Sequence, residues 1–363
     1  MIFRLLPLAV YIPVGIYLYH VFARFFTLLH IERKTPASRL LSLLAVAACV
    51  RWGWRVYGLG AVIVLHFFPF CLLTELINFF VKKQKKSEKA EKGWDFLYRS
   101  SILAVAVIAI IVLYGYFNIR NVRRTVYGVE TEKPVQDLTV VQISDLHMGT
   151  AMNLEELEKY CGMIQEEEPD VLALTGDIFD ESTSGEMMEK AAELLGGIRT
   201  TYGCYYVFGN HDYNYYVQEP FYTADDLRRI LTGKGIHVLE DETVQAGENL
   251  VIAGRQDASV GRMDIGELLE NTDQDSFVLL LDHQPRNLQE NAEAGMDLQL
   301  SGHTHAGQIW PTGQLSALTG ITELNYGIRA YGKSHVIVSS GIAGWGYPIR
   351  TGGHSEYVVI HIN

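Results

Sequence analysis

Ser301–Pro311 reads SGHTHAGQIWP and sets two imidazoles two positions apart behind a glycine. Alone, a Gly-His-X-His turn is an ordinary loop. It is half of a metal site if other loops supply further ligands, and candidates stand elsewhere in the chain. The apolar run LTVVQIS leads into Asp145-Leu146-His147, VLALT into Gly176-Asp177, and YYVF into Gly209-Asn210-His211-Asp212. FVLLL leads into Asp282-His283, and LQLS into Gly302-His303-Thr304-His305. Each time, an apolar run ends in groups that bind metal or move protons. Imidazole, carboxylate and amide donors suit Mn, Fe or Zn, and with no thiolate among them a structural zinc site is disfavoured.

Something must gather these groups. Short apolar runs bounded by polar residues read as buried strands. Helix patterns lie between them. Asn153 to Glu156 forms a capping box, and Leu154, Leu157, Cys161 and Ile164 then share a face. Ser184–Ile198 is a second helix with Met188, Ala191 and Leu195 on one face, and a third starts at Thr223. Two β-rich runs follow late in the chain, His335–Ser339 and Tyr357–Ile362. The alternation predicts an α/β region with a largely parallel or mixed sheet. Ligands of such sheets bind beyond the carboxyl ends of the strands, so the five loops are expected to share one crevice.

The 363 residues divide by charge: residues 1–127 carry a net +12 and residues 128–363 a net −24. The acidic part argues against a nucleic-acid partner, which needs a positive surface. The basic part reads as an all-α transmembrane region of about four helices. Ile2–Leu29, Leu59–Val81 and Ser101–Ile119 are apolar over about 20 residues, the length a bilayer core requires. Leu40–Tyr57 is the fourth, interrupted by Arg51 and Arg55, with Trp52, Trp54 and Tyr57 as an interfacial belt. The boundary is placed at 127/128, with a linker over Tyr127–Asp137. Lys82, Lys83, Lys85, Lys86, Lys89, Lys92 and Arg99 follow the third helix, and Arg33, Lys34 and Arg39 follow the first. Their side is expected to be cytoplasmic, which puts the acidic domain outside. Arg120, Arg123 and Arg124 pull the other way. Cys49, Cys71, Cys161 and Cys204 show no metal spacing and are expected to be free thiols.

The ordered blocks DLH (Asp145–His147), GDIFD (Gly176–Asp180), GNHD (Gly209–Asp212), His283 and GHTH (Gly302–His305) resemble the calcineurin-like metallophosphoesterases. The likeness covers about residues 138–363. The tail, from NYG at Asn325 through SSGIAGWGYPIRTGG, looks like the membrane-associated bacterial branch of that superfamily, although Ala306 stands where that branch usually has Gly. Some relatives there cleave the pyrophosphate of UDP-diacylglucosamine. The resemblance implies a four-layer αββα sandwich with mixed sheets and two divalent metal ions. It implies that Asp145, His147 and His305 bind one ion, that Asn210, His283 and His303 bind the other, and that Asp177 bridges them. Two ions about 3.5–4 Å apart acidify water and clamp phosphoryl oxygens. His211 would then contact phosphate and act as general acid, with Asp212 orienting it.

Other readings stay open beside these. His283 taken alone is a capping or packed histidine. Asp180 either bonds a ligand or caps its loop. Tyr213, Tyr215, Tyr216 and Tyr222 either line a groove or pack under the catalytic loop. Trp345, Tyr347 and Arg350 lie in a Gly-rich loop that either rims the site, with Arg350 on a second phosphate, or is plain surface. The partners expected are the lipid bilayer and a phosphoester, a lipid among the candidates; no protein partner is inferable. The whole reads as a multi-pass cell-membrane phosphoesterase for a phosphodiester or pyrophosphate, with Mn²⁺ expected to support activity. The alternative is a membrane sensor or binding protein whose domain is regulatory. Filled ligand positions count against it.

Overall fold

A computed structural model of the chain describes residues 2–53, 57–84, 86–273 and 275–363, and side chains from residue 11 onward. Trp54, Arg55 and Lys85 lie outside the described residues. The chain forms two compact units, Met1–Gly115 and Tyr116–Asn363.

The first unit is helical: α1 (Ile2–Phe26), α2 (Pro36–Gly53), α3 (Leu59–Val81), α4 (Glu88–Ser100) and α5 (Ile102–Arg120), whose last turn belongs to the second unit. Among the described residues, three helices are long and apolar enough to cross a membrane: Tyr11–Leu29, Leu59–Val81 and Ile102–Arg120. The fourth expected span is present as α2 but is not one of them. Arg39 and Arg51 sit within that helix and lower its mean hydropathy. The lysine-rich stretch is not all loop either. Ser87 caps α4, a strongly amphipathic helix. Glu75 of α3 pairs with the buried Arg24 of α1 and accepts from Tyr98 of α4. A carboxylate on a helix apolar enough to cross a membrane needs such partners.

The second unit holds β1 (Arg123–Val129), β2 (Leu138–Ile143), α6 (Leu154–Gln165), β3 (Val171–Leu174), α7 (Gly185–Gly196), β4 (Gly203–Tyr206), α8 (Ala224–Gly233) and β5 (Ile236–Val238). It continues with β6 (Glu242–Gly247), β7 (Leu250–Gly254), α9 (Ile265–Leu269), β8 (Phe277–Leu281), α10 (Leu288–Glu293), β9 (Leu298–Ser301), α11 (Thr312–Thr319), β10 (Gly327–Tyr331), β11 (Ser334–Val338) and β12 (Glu356–Ile362). Two mixed six-stranded sheets result, ordered β1-β12-β2-β3-β4-β5 and β10-β11-β9-β8-β7-β6. β2, β3, β4 and β5 run parallel, as do β7, β8, β9 and β11.

Every residue of β3, β7, β8 and β9 is buried, which explains their continuous apolar runs. Val140, Val171 and Val207 from the first sheet meet Ile252, Leu279, Leu300 and Ile337 from the second in a central core. Leu157, Ala191, Leu195, Leu227 and Leu231 of α6, α7 and α8 cover the outer face of the first sheet. Ile265, Leu268 and Leu288 of α9 and α10 cover that of the second. These are the four layers expected. The capping box closes on α6, with Asn153 accepting from Glu156 N and Glu156 from Asn153 N, worth about 1 kcal/mol. A boundary at 127/128 falls inside β1, which pairs in parallel with β12 from Arg123 onward. The stretch read as a linker therefore begins as sheet.

Candidate metal centre

Five loops leave the carboxyl ends of β2, β3, β4, β8 and β9 and carry the candidate residues to one place. Two groups form: Asp145, His147 and His305, and Asp177, His283 and His303, each with its ligand atoms within 4.8 Å of one another. Asp177 Oδ2 faces both, at 3.1 Å from His283 Nε2 and 3.8 Å from His147 Nε2. His305 Nε2 lies 3.4 Å from Asp145 Oδ1. His303 Nδ1 lies 3.3 Å from His283 Nε2.

The loops lock one another through backbone bonds. Asp145 N donates to Gly176 O and His147 N to Asp177 O, each at 3.0 Å. His211 N donates to Asp177 Oδ1 at 2.8 Å, and His303 N to Asp145 Oδ2 at 3.0 Å. The packing is tight enough to require two of the motif glycines. A Cβ at Gly302 would lie 2.2 Å from Asp145 Oδ2, and one at Gly209 would lie 2.2 Å from Asp177 Oδ1. Five of the candidate ligands hold left-handed backbone: Asp145 (φ 53°), His147 (41°), Asp177 (52°), His303 (70°) and His305 (50°). Such conformations cost about 1–3 kcal/mol each and cluster at functional sites.

A metal fits these donors. His147 Nε2, His305 Nδ1 and Asn210 Oδ1 are buried with no hydrogen-bond partner among the described residues, a state native interiors rarely leave uncompensated. His283 Nδ1 lies 2.8 Å from Thr175 O and donates there, which turns Nε2 toward Asp177. Burial would lower this ring, but Asp177 outweighs it and holds it well above its ordinary value, so Nε2 carries a proton until a cation displaces it. Burial pushes His303 down to about 4, helped by the positive His283, and pushes His305 well below its ordinary value. Both rings are therefore neutral, the form that ligates. Burial raises the Asp145 carboxyl. Burial acts the same way on Asp177, but the imidazole of His283 outweighs it and holds that carboxyl well below the usual range.

A family model described as calcineurin-like phosphoesterase matches residues 138–307. An uncharacterized metallophosphoesterase of Aquifex aeolicus is 32% identical over 259 residues, 69% of this chain and 95% of its own length. The chain belongs to the calcineurin-like metallophosphoesterases. Two proteins described as transmembrane with a metallophosphoesterase domain are similar over more of it. One from Danio rerio is 28% identical over 82% of this chain and 70% of its own, and one from Bos taurus is 25% identical over 92% and 76%. This metallophosphoesterase likewise joins a membrane region to the domain.

Around its two groups, the metallophosphoesterase departs from expectation in two places. Asp212 does not reach the ring of His211. Its carboxylate is spent on Asp177 N, Phe179 N, Gly209 N and Tyr206 Oη, all within 3.0 Å, and so ties two ligand loops together. The partner of His211 is Glu181, whose Oε1 lies 2.8 Å from Nδ1. Glu181 went unread because an acid beside GDIFD carries no spacing signal of its own. Arg350 does not rim the site. It is fully buried and donates to His305 O, Ser340 O and Ala343 O, bracing the GHTH turn from behind. Burial lowers its guanidinium to about 10.

The open alternatives resolve in this metallophosphoesterase. Asp180 does both things weighed for it: Oδ1 accepts from Ser182, and Oδ2 lies 3.3 Å from His147 Nδ1. Tyr213 and Tyr222 are buried, whereas Tyr215 and Tyr216 are exposed. The rings of Tyr216 and Trp345 stand 5.1 and 4.6 Å from that of His211.

Proposed function

We propose that the unit Tyr116–Asn363 hydrolyses a phosphodiester or pyrophosphate of a lipid-linked or envelope substrate, using two divalent cations. The observation that carries this reading is the pair of Asp/His/His groups around the single carboxylate of Asp177, with His211 beside them. Asp145, His147 and His305 would hold one cation, Asn210, His283 and His303 the other, and Asp177 both. Bound there, the cations supply an acidified water and charge on the phosphoryl oxygens. His211 protonates the leaving oxygen, its ring steered by Glu181 and walled by Trp345 and Tyr216. Asp212 acts by fixing the loops. Mn²⁺ is the cation we expect to support activity in vitro.

The membrane helices favour a substrate at the bilayer surface. The lysines between α3 and α5 favour the cytoplasm for that loop, and the domain then lies outside whether or not α2 crosses. An envelope lipid or wall-polymer phosphodiester suits that side. A nucleotide-linked lipid such as UDP-diacylglucosamine suits a cytoplasmic domain.

Detergent-purified protein, with Asp177→Ala and His211→Ala, is to be tested for Mn²⁺-dependent hydrolysis of bis-p-nitrophenyl phosphate and p-nitrophenyl phosphate, with metal content measured alongside. We expect the diester to be cleaved, Asp177→Ala to lose metal, and His211→Ala to keep metal while losing roughly 10²–10⁴-fold in rate. A metal-loaded chain inert toward both esters would favour a sensor or binding role.

A further inference from the structure

Directly after the last candidate ligand, the segment Ala306–Thr322 runs for seventeen residues without Asp, Glu, Lys or Arg. Its apolar side chains do not pack inward. Trp310 is 53% exposed, Leu315 52%, Leu318 83% and Ile321 78%. The last three lie on or just past α11, whose only buried residue is Gly313. An uncharged apolar surface of this kind on an acidic domain marks an interaction site rather than a solvated face.

Backbone bonds show where this surface lies in the unit. Trp310 N donates to Thr351 Oγ1 at 2.9 Å, and Thr351 N and Gly352 N both donate to Gln308 O at 2.9 Å. The same loop is held from its other side by Asn118, whose Nδ2 donates to Arg350 O at 3.1 Å and Gly353 O at 2.9 Å. Asn118 stands in the last turn of α5, the helix apolar enough to span a membrane that leads into this domain. Its neighbours Tyr116 and Phe117 are exposed, and aromatic residues at a span's end are typical of the bilayer–water boundary. The exposed apolar segment is thus one hydrogen-bonded loop away from the end of that apolar helix.

We propose that Ile309–Ile321 docks on the lipid bilayer, with Trp310, Leu315, Leu318 and Ile321 entering the boundary between headgroups and acyl chains. A segment continuous with the GHTH turn then fixes the metal centre at headgroup height. On the phosphoesterase reading above, the substrate is an ester in the headgroup layer, met without leaving the membrane. The docking itself does not depend on that reading.

The test uses the full chain in phosphatidylethanolamine/phosphatidylglycerol nanodiscs, carrying a bimane label at Leu318→Cys. A second chain carries the label at Glu248→Cys, an exposed position in the β6–β7 turn. The unsubstituted chain reports labelling of the native thiols, three of which are buried. Docking predicts blue-shifted emission at 318, strong quenching by spin-labelled lipid and loss of iodide quenching, with the reverse at 248. Iodide quenching at 318 equal to that at 248, with no response to spin-labelled lipid, would overturn the proposal. So would shielding at 318 from both quenchers with cross-linking between copies, because a second chain would then cover the segment. The readout is fluorescence, so an inert metal centre leaves a positive docking result standing, and failed docking leaves the hydrolysis assay untouched.

Discussion

The ring of His211 has a partner that the motifs do not supply. Its Nδ1 faces Glu181, which follows GDIFD directly and is largely buried. On the proposed reading, a carboxylate there fixes the tautomer and turns Nε2 toward the leaving oxygen it would protonate. Glu181→Gln keeps the shape and removes the charge. We expect kcat to fall about 10–100-fold, since positioned acid catalysis is worth about 10²–10⁴ in all. Metal content and KM should hold, because Glu181 touches none of the seven candidate ligands. Unchanged kcat, or metal lost in step with rate, would remove Glu181 from that role. The seven candidate ligands themselves are legible in the sequence, because each follows a short apolar run. Their left-handed backbones are not. Residue type alone does not distinguish an aspartate at φ 53° from an ordinary one; contacts between loops far apart in sequence impose that geometry.

Elements join through Glu356, the first residue of β12. Its carboxylate is buried and accepts from Ser340 N at 2.9 Å, Tyr326 Oη at 3.0 Å and Thr125 of β1, with His354 Nε2 at 3.1 Å. Burial alone would raise this carboxyl, but the bonds from His354, Thr125 and Ser340 outweigh it and hold it below its ordinary value. A carboxyl lowered by folding contributes stability that is complete above its unfolded pKa of about 4.3 and is lost as pH falls through the lower folded value. Glu356→Gln should therefore melt lower at pH 7, by an amount worth about 1–3 kcal/mol. It should also show a shallower loss of melting temperature than the parent between pH 5 and the folded pKa (roughly,). Parallel melting curves for the two chains would rule the linkage out. Glu356 also shows which elements escape the sequence. β2, β3, β4, β8 and β9 are fully or largely buried, so each reads as an apolar run. β1 and the edge strand β6 are half exposed and polar. What makes β1 a strand is its pairing with β12, which no local window contains. In α4, lysines mask an amphipathic helix by dominating its composition.

At the scale of the molecule, charge and hydropathy separate a basic helical unit from an acidic α/β unit, and the structure separates them at Gly115/Tyr116. The number of crossings is the feature least legible in the sequence, because Arg39 and Arg51 leave α2 between a membrane span and a surface helix. Domain placement does not turn on it, since the lysine-rich stretch immediately precedes α5. A tag at the C-terminus should be cut by protease added to intact cells. Protection of the tag until the membrane is opened would place the domain inside and return nucleotide-linked lipids to the front. The sheet order carries one further consequence, for the sequence of events during synthesis. β1 follows α5 almost at once, yet its neighbour in the sheet is β12, with Arg123 opposite Glu356. Both β1 and the free side of β2 must wait for that late strand, so the sheet is closed by one of the most non-local pairings the chain can make. Contacts of such separation form slowly, and the open strand edges invite wrong partners meanwhile. A nascent domain thus keeps its first strand unpaired until β12 has been made, and the cost of that order falls on the timing of folding rather than on the chemistry of the site.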